Sequence, residues 1–293
     1  MLVGPLDQRR KLLERAAAAM DHVFVADHVS FYTGFGMDGL LQAATVTALV
    51  PDLEVQLGIY LLALRHPVLV ARQISTLCES APGRLVLGIG VGGEDRHEIE
   101  ICGVDPKTRG RRTDECMIAL RALLTGEPVT HRCEFFEFEE ALIRPAPDRP
   151  VPFLVGGRSD AAVLRSARLA EGWLGVWCSP RRFAEVLGQI AEEAERVERV
   201  GVAWRHAYQV WVGIDDDRAR ARARLARGMQ NLYQIPFERF EKYSPYGTPA
   251  EVADFLAPYV EAGCTSFNVM PVCDTPERGI DAVAEIRERL VKD

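Results

Sequence analysis

The sequence predicts a (β/α)8 barrel, and three observations support this fold class. Apolar runs with strand character alternate with helical patterns along the chain, which is the order expected of parallel sheets. Residues 55–93 read as one complete β-α-β unit. The chain has 293 residues, of which 48% are hydrophobic, and a barrel of this kind needs about 250 residues. We therefore expect a single domain over residues 1–293, with its first strand at residues 1–6.

The unit at residues 55–93 shows why the strands should be parallel and central. Residues 55–62 are almost entirely apolar, as expected of a strand that is covered on both faces. Pro67 then suits the first turn of a helix, because its missing N–H needs no partner there. The second strand ends in closely spaced glycines, among them Gly90 and Gly92. This spacing lets a flat or anionic ligand approach the backbone, and a tight barrel turn without a ligand would use the same residues.

Polar residues follow the apolar run at residues 23–26, where Asp27 and His28 come next in the chain. A barrel delivers such residues to its C-terminal rim, which is where barrel enzymes carry out chemistry. Imidazole suits proton transfer near neutral pH because its ordinary pKa is about 6.5. Both residues are candidates for cofactor or substrate contact. The structural alternative is that Asp27 caps a turn and His28 is a hydrogen-bonded rim residue.

A second candidate site follows the predicted strand at residues 151–155. Two glycines and a serine at a helix N-terminus present backbone N–H groups to an anion, and an arginine adds a positive charge. Alone this pattern is weak evidence for a phosphate site. The residues are Gly156, Gly157, Arg158 and Ser159.

Two segments depart from the alternation of strands and helices. Residues 126–152 predict an inserted hairpin with a proline-rich connector, since strand-like runs flank a short break. Residues 228–246 contain several aromatic residues in a proline-broken stretch after a helix that fades near Gly228. This second segment either covers the barrel mouth or packs under a dimer interface.

Composition excludes several classes of function. The net charge of −7 and the pI near 5.5 disfavour a nucleic-acid partner, which would require a basic face. They favour a small-molecule substrate. No apolar run of roughly 18 residues predicts a membrane span, and no N-terminal signal is evident. Seven cysteines without a Cys-x-x-Cys pair indicate reduced thiols in a cytoplasmic protein. His, Asp and Glu are not clustered at ligand spacing, so no metal site is expected.

Several motifs in register carry a family resemblance. The order Gly58, Arg65-His66-Pro67, Gly83-Arg84 and Gly88-Ile-Gly90-Val-Gly92 resembles the bacterial luciferase-like monooxygenase superfamily, including its deazaflavin (F420)-dependent oxidoreductases. The resemblance runs from about residue 20 to the C-terminus. It implies a luciferase-like barrel, a reduced deazaflavin or flavin cofactor and a homodimer.

The resemblance also implies roles for single residues. Asp27 and His28 would meet the deazaflavin, with His28 as a proton donor or stabiliser. The bond Gly58–Ile59 would be a cis peptide that bulges behind the cofactor ring. Glu94 would act as an acid, although a carboxylate in a first helical turn is favoured by the helix dipole without any catalytic role.

The same family uses a Gly-Gly-x-Ser turn like the one that begins at Gly156 for the cofactor phosphate. The sequence therefore predicts an oxidoreductase that uses F420 for hydride transfer to or from a small organic substrate. Two alternatives remain open. One is a monooxygenase that uses reduced FMN, and the other is a catalytically silent flavin-binding relative, since a fold does not fix a function.

Overall fold

The computed structural model describes residues 4–32, 34–93 and 95–291. The strands are β1 (His22–Val25), β2 (Glu54–Tyr60), β3 (Leu85–Ile89), β4 (Val129–Arg132), β5 (Glu137–Ala141), β6 (Phe153–Gly156), β7 (Gly172–Val176), β8 (Ala207–Ile214), β9 (Tyr246–Gly247) and β10 (Ser266–Val272). The helices are α1 (Leu6–Ala17), α2 (Gly39–Leu49), α3 (Pro67–Ser80), α4 (Arg96–Ile101), α5 (Arg109–Leu123), α6 (Asp160–Leu169), α7 (Pro180–Arg196), α8 (Arg218–Tyr233), α9 (Pro249–Glu261) and α10 (Pro276–Val291).

The main sheet is parallel and forms a nearly closed barrel with helices around it. Its strands follow the order β1-β2-β3-β6-β7-β8-β10, and the short β9 pairs with β8. Within the described residues, no strand pairs with the outer edge of β1 or of β10. The predicted (β/α)8 barrel is confirmed as a fold class, with β9 completing the eight-stranded sheet.

The expected strand at residues 1–6 is wrong for residues 4–6. Helix α1 already begins at Leu6, after Pro5 in extended conformation. Proline at this position is compatible with the start of a helix, because its missing N–H would have no partner there. Residues 1–3 lie outside the described residues.

The β-α-β unit predicted at residues 55–93 is confirmed. Pro67 is the first residue of α3, and the His66 side chain accepts a hydrogen bond from the backbone N–H of Val68. All five residues of β3 are buried. A strand covered on both faces has no solvent side, so its sequence shows no polar alternation.

A hairpin is present in the inserted segment as the antiparallel pair β4–β5, but its turn lies at residues 133–136, within the strand-like run at residues 129–138 rather than after it. The helix expected to fade near Gly228 continues to Tyr233, and short 3-10 turns follow at Phe237–Arg239 and Glu241–Tyr243. Buried contacts of Leu225 and Met229 hold this last part of α8 in place. No helix among residues 4–32, 34–93 and 95–291 is long and apolar enough to cross a membrane.

Close approach of β2 and β3 gives a stability prediction. Gly88→Ala should lower the free energy of unfolding by about 1–3 kcal/mol, the usual cost of overpacking, because its Cβ would lie 1.9 Å from the carbonyl oxygen of Leu57. Gly188→Ala is the matched control, since no atom lies within 4 Å of its Cβ on exposed α7. This control should raise the same free energy by about 0.5–1 kcal/mol. Urea unfolding measures both, and an unchanged Gly88→Ala would contradict the close approach.

Candidate active site at the barrel rim

A cavity of about 1030 Å³ opens at the C-terminal ends of the strands and continues into the barrel. Its volume is at the upper end of the range of about 300–1,000 Å³ that is usual for small-molecule sites. Ten residues predicted from the sequence line it, namely Asp27, His28, Gly58, Ile59, Gly90, Gly92, Gly156, Gly157, Arg158 and Ser159. The fold therefore brings the predicted residues to one place. Glu94, the predicted acid, lies outside the described residues.

The carboxylate of Asp27 is fully engaged by protein donors. It forms a bidentate ion pair with Arg65, with both N–O distances at 2.8 Å, and accepts the N–H groups of Gly39 and Leu61 at 2.9 Å. Burial raises the pKa of Asp27, while Arg65 and these two N–H groups act in the opposite direction. With only 1% of the residue exposed, its geometry favours a positioning role over direct contact with a ligand. The predicted contact to a cofactor stays a prediction.

His28 is oriented by a carboxylate that the sequence reasoning did not select. Its Nδ1 lies 3.1 Å from Oε2 of Glu98, and its ring stacks on Phe31 with ring centroids 4.1 Å apart. Because an ionised carboxylate can only accept a hydrogen bond, this contact favours the tautomer with hydrogen on Nδ1. Nε2 is then the ring nitrogen that can form a hydrogen bond with a ligand in the cavity.

Glu98 also fixes the loop that follows His28. It accepts the backbone N–H groups of Val29 at 2.6 Å and Ser30 at 3.0 Å. Burial raises the pKa of the Glu98 carboxyl, but the hydrogen bonds from His28 and from these N–H groups outweigh burial and lower it. Glu98 is therefore an anion that holds both the imidazole and the loop.

Asp95 strengthens the same attachment one turn earlier. Its side chain caps α4 by accepting the N–H of His97 at 2.9 Å, and it accepts the N–H of Tyr32 at 2.6 Å. Two carboxylates at the start of α4 thus bind the loop at residues 28–32 from one side. The charged residues 95–98 at the start of α4 therefore anchor the rim.

The peptide bond Gly58–Ile59 is cis, as predicted, and the register between β2 and β3 shifts between Leu57 and Tyr60. The Ile59 side chain fills the space in front of two of the predicted cofactor glycines. A Cβ on Gly90 would lie 1.6 Å from Cδ1 of Ile59, and one on Gly156 would lie 2.8 Å from its Cγ2. These glycines are thus required by packing on Ile59, whether or not a ligand binds.

The turn after β6 has the features of an anion site. Gly157 has a φ of +128°, which L side chains rarely adopt, and its carbonyl oxygen accepts the indole N–H of Trp173 at 2.7 Å. Ser159 caps α6 by accepting the N–H of Ala162 at 3.3 Å. Arg158 is exposed and lies over the ring of Trp177, 5.5 Å from its centroid. Within the described part of the chain, no carboxylate forms an ion pair with Arg158.

The segment at residues 228–246 lies at the mouth of the cavity. Tyr233 lines the cavity, and its ring centroid is 5.2 Å from that of Trp177 and 6.5 Å from that of Phe31. Phe240 packs on Trp177 from the same segment, with ring centroids 4.7 Å apart. These contacts support the predicted position over the barrel mouth. They do not bear on a dimer interface.

Three amide side chains form a polar floor below the rim, defined here as Gln56, Gln209 and Asn268, of which Gln209 is half-buried and the other two are buried. Gln209 lines the cavity, and a Cβ on Gly58 would come within 2.8 Å of its Oε1 and 3.0 Å of Nδ2 of Asn268. Each of the three amides has one buried polar atom with no hydrogen-bond partner among the described residues. Buried polar atoms usually have partners, so the oxygen of Gln209, the amide that lines the cavity, is suited to water or the polar edge of a ligand.

Sequence reasoning missed Glu98 and the ion-pair role of Arg65. A signal for Glu98 was present, since an Asp at the N-cap with a Glu three residues later resembles a capping box. That pattern predicts contacts within the helix only. The contact of Glu98 with His28 spans 70 residues along the chain and depends on how α4 packs against the rim.

The fold and the rim together define a luciferase-like barrel with a cavity of cofactor size. The sequence model of the luciferase-like monooxygenase family matches residues 5–291, and the chain belongs to this family. The uncharacterized protein Rv0940c of Mycobacterium tuberculosis is 37% identical over 147 residues, which are 50% of this chain and 50% of that protein. An F420-dependent glucose-6-phosphate dehydrogenase of Beutenbergia cavernae is 31% identical over 215 residues, 70% of this chain and 63% of that protein.

These alignments thus span between half and two thirds of the lengths of these curated relatives. A solved F420-dependent secondary alcohol dehydrogenase, in complex with an F420-acetone adduct, superposes with a TM-score of 0.86. The superposition covers 98% of this chain and 96% of that chain at 18% identity, so it supports the fold alone.

Glu98→Gln tests the anchoring role of the anion. The change should lower the free energy of unfolding near pH 7 by about 1–3 kcal/mol, because buried N–H donors lose a charged acceptor. A lowered carboxyl pKa stabilises the fold above the unfolded value of about 4.3. That contribution is lost as the pH falls through the folded pKa, so the difference between the two proteins should shrink in acid.

Urea unfolding across this pH range measures the effect. Glu100→Gln on the same helix is the control, since Glu100 forms an exposed ion pair with Arg96 and its loss should change stability by less than about 0.5 kcal/mol. A pH-independent difference between Glu98→Gln and the parent protein would contradict the assignment of an ionised, hydrogen-bonded Glu98.

Proposed function

We propose that the protein is an F420-dependent oxidoreductase that transfers a hydride to or from a small organic substrate. The observation that carries the proposal is the pairing, across one cavity, of an oriented imidazole at His28 with an anion site at Gly157, Arg158 and Ser159. A proton-transferring group and a phosphate-binding turn are the two features that such a reaction needs from the protein. The family membership and the F420-dependent relative support the same reading.

The residues present fit a deazaflavin nucleotide. The N–H of Ala162 is bound by the Ser159 cap, whereas those of Asp160 and Ala161 have no partner within the helix, and with the guanidinium of Arg158 they would hold a phosphate. The bulge at Gly58 and Ile59 would support the ring system. Trp177 lines the cavity and has a buried indole N–H without a hydrogen-bond partner among the described residues, so it can donate to the ligand. When bound, the deazaflavin supplies or accepts the hydride.

His28 would handle the proton that accompanies hydride transfer. In the reducing direction its Nε2 gives a proton to the heteroatom or carbon that becomes electron-rich, and in the oxidising direction it removes one. Glu98 holds Nδ1 in both directions and stabilises the imidazolium when it forms, as a carboxylate does in other proton-transfer sites. Phe31, Trp177 and Tyr233 would exclude water from the cavity mouth.

A second candidate is a monooxygenase that uses reduced FMN. The observation in its favour is that the matching family is described as luciferase-like monooxygenase. The phosphate site would serve FMN in the same way. A catalytically silent flavin-binding protein is the outcome in which a cofactor binds without turnover.

Binding and turnover experiments separate these functions. Titration of the purified protein with F420 and with FMN, followed by absorbance and fluorescence, should show tighter binding of F420. Incubation with the F420 complex and panels of small alcohols, imines and activated alkenes should then change the absorbance of the deazaflavin. Tighter binding of FMN, with oxygen consumption in its reduced form, would replace the proposal by the monooxygenase.

His28→Phe tests the proton-transfer role. The ring should still stack on Phe31, so F420 affinity should stay within about twofold, while kcat falls by roughly 10²–10⁴ because general acid–base catalysis is lost. His97→Phe on the exposed side of α4 is the control and should leave kcat unchanged. Steady-state kinetics with the best substrate of the panel measure both. A kcat near that of the parent protein would reduce His28 to a packing residue and leave Glu94 as the predicted acid.

Arg158→Ala tests the phosphate site without straining the backbone at Gly157. Loss of an unpaired guanidinium beside the phosphate should weaken F420 binding by about 10-fold or more, since hydrogen bonds to charged groups are worth about 1.5–3 kcal/mol. Binding should also become less sensitive to salt. Arg181→Ala in exposed α7 is the control, because Arg181 pairs with Glu185 on the helix surface. Equal F420 affinities of the two variants would show that the phosphate does not bind beside Arg158.

The homodimer and the cytoplasmic location also stay predictions. Light scattering coupled to gel filtration measures the oligomeric state directly. A monomer at micromolar concentration would remove the predicted interface and leave the segment at residues 228–246 solely as a cover of the cavity mouth.

A further inference from the structure

Three potential metal ligands meet outside the cavity, between α5 and the inserted hairpin. Glu115 lies on α5, His131 on β4 and Cys133 in the turn between β4 and β5. One ligand atom from each residue lies within 4.8 Å of the other two. None of the three lines the cavity at the barrel rim. The cluster is therefore separate from the candidate active site.

The spacing of these atoms fits shared ligation better than hydrogen bonding. Nε2 of His131 is 3.5 Å from Oε2 of Glu115, which is longer than a good N–H···O hydrogen bond. Two ligands of one tetrahedral zinc ion, with bonds of about 2.0–2.2 Å, lie about 3.4 Å apart. The same Nε2 atom is buried and has no hydrogen-bond partner among the described residues. A buried nitrogen without a hydrogen-bond partner, 3.5 Å from a carboxylate oxygen and within 4.8 Å of a thiol sulfur, points to a ligand.

The hairpin holds its two ligands in a fixed orientation. The His131 ring stacks on Phe138, with centroids 5.6 Å apart and an interplanar angle of 27°. Sγ of Cys133 accepts the backbone N–H of Phe135 at 3.4 Å, and the Cys133 N–H donates to the carbonyl of Phe136 at 2.9 Å. These contacts fix the direction in which the imidazole and the sulfur atom point, as supporting contacts do for metal ligands.

We propose that Glu115, His131 and Cys133 bind a zinc ion that joins the inserted hairpin to α5. Thiolate, imidazole and carboxylate are the donors found in zinc sites, and the fourth position would be taken by water. The thiolate and the carboxylate balance the charge of Zn²⁺. Binding releases the proton of the Cys133 thiol, because only the thiolate coordinates the metal. The ion stabilises the attachment of the hairpin and takes no part in the reaction at the rim.

The sequence predicts no metal site because its three ligands do not form a local motif. His131 and Cys133 are two residues apart on one strand end, and Glu115 lies on the preceding helix. Only the packing of the hairpin on α5 brings them together. That packing is supported independently by the guanidinium of Arg112, which lies 4.4 Å from the ring centroid of Phe136.

Zinc titration of the full chain tests the proposal. The protein, with any affinity tag removed, is treated with a chelator, desalted and titrated with Zn²⁺ in a calorimeter. We expect one equivalent to bind with a Kd below about 1 μM, with proton release and a higher thermal midpoint. Cys133→Ser and His131→Gln should each weaken binding at least about 10-fold, and Glu115→Gln should weaken it measurably.

Matched controls distinguish zinc binding at this specific site from non-specific binding to other thiols and carboxylates. Cys102→Ser removes a partly exposed thiol on another part of the chain, and Glu134→Gln removes a carboxylate of the same hairpin that pairs with Arg111. Both controls should bind zinc like the parent protein. Circular dichroism confirms that every variant is folded before it is titrated.

Cobalt provides a readout that a merely structural role of the three residues would not give. Co²⁺ in the site should show visible bands of tetrahedral intensity and a thiolate charge-transfer band that Cys133→Ser abolishes. Absence of stoichiometric zinc binding by the folded parent protein would overturn the proposal. Binding that survives both Cys133→Ser and His131→Gln would overturn it as well.

Discussion

The buried ion pair between Asp27 and Arg65 fixes the rim on which the candidate active site is built. It joins the second residue after β1 to the segment after β2, and the same carboxylate accepts the N–H of Gly39, the first residue of α2. Leaving either charge buried without its partner costs about 3–5 kcal/mol in typical cases. Since His28 follows Asp27 directly and Leu61 donates to it, the pair sets the positions of the imidazole and of the bulged strand together.

Two kinds of contact, close packing and charged hydrogen bonds, shape the rim around this ion pair. On one side Ile59 fills the space that side chains on Gly90 and Gly156 would need, so the strand ends approach each other closely. On the other side Glu98 and Asp95 hold the loop after His28 by hydrogen bonds to its backbone. The first arrangement gives an apolar wall, and the second orients the imidazole of His28. Arg158 is left with an exposed guanidinium beside the helix N-terminus, where an anion can bind.

Features that depend on local sequence could be predicted. The apolar run at residues 55–62 predicts a strand, which the structure has at Glu54–Tyr60 before a 3-10 turn at Leu62–Leu64. The start of α3 at Pro67 and the presence of a hairpin in the insertion follow from proline geometry and strand-like runs. The family resemblance placed the cis peptide at Gly58–Ile59, which periodicity alone could not do. The prediction that failed locally was the strand at residues 4–6, because α1 begins at Leu6 after the extended Pro5.

Features that depend on contacts between distant residues could not be predicted. Glu98 reads as a capping residue until α4 is packed against the rim, and Gly90 reads as a ligand contact until Ile59 is seen in front of it. Glu115 and His131 have no spacing that signals a shared ligand. In each case the deciding distance is between side chains brought together by tertiary packing, and a single sequence contains no direct record of such distances.

The central claim is that the rim holds a deazaflavin between the phosphate site and His28. A crystal structure of the protein with F420 tests it most directly. The account predicts the phosphate within hydrogen-bond distance of the backbone at residues 157–159 and of Arg158, with the ring system against Gly58 and Ile59 and facing Nε2 of His28. A cofactor bound with its phosphate away from α6, or with its ring out of reach of His28, would contradict the account.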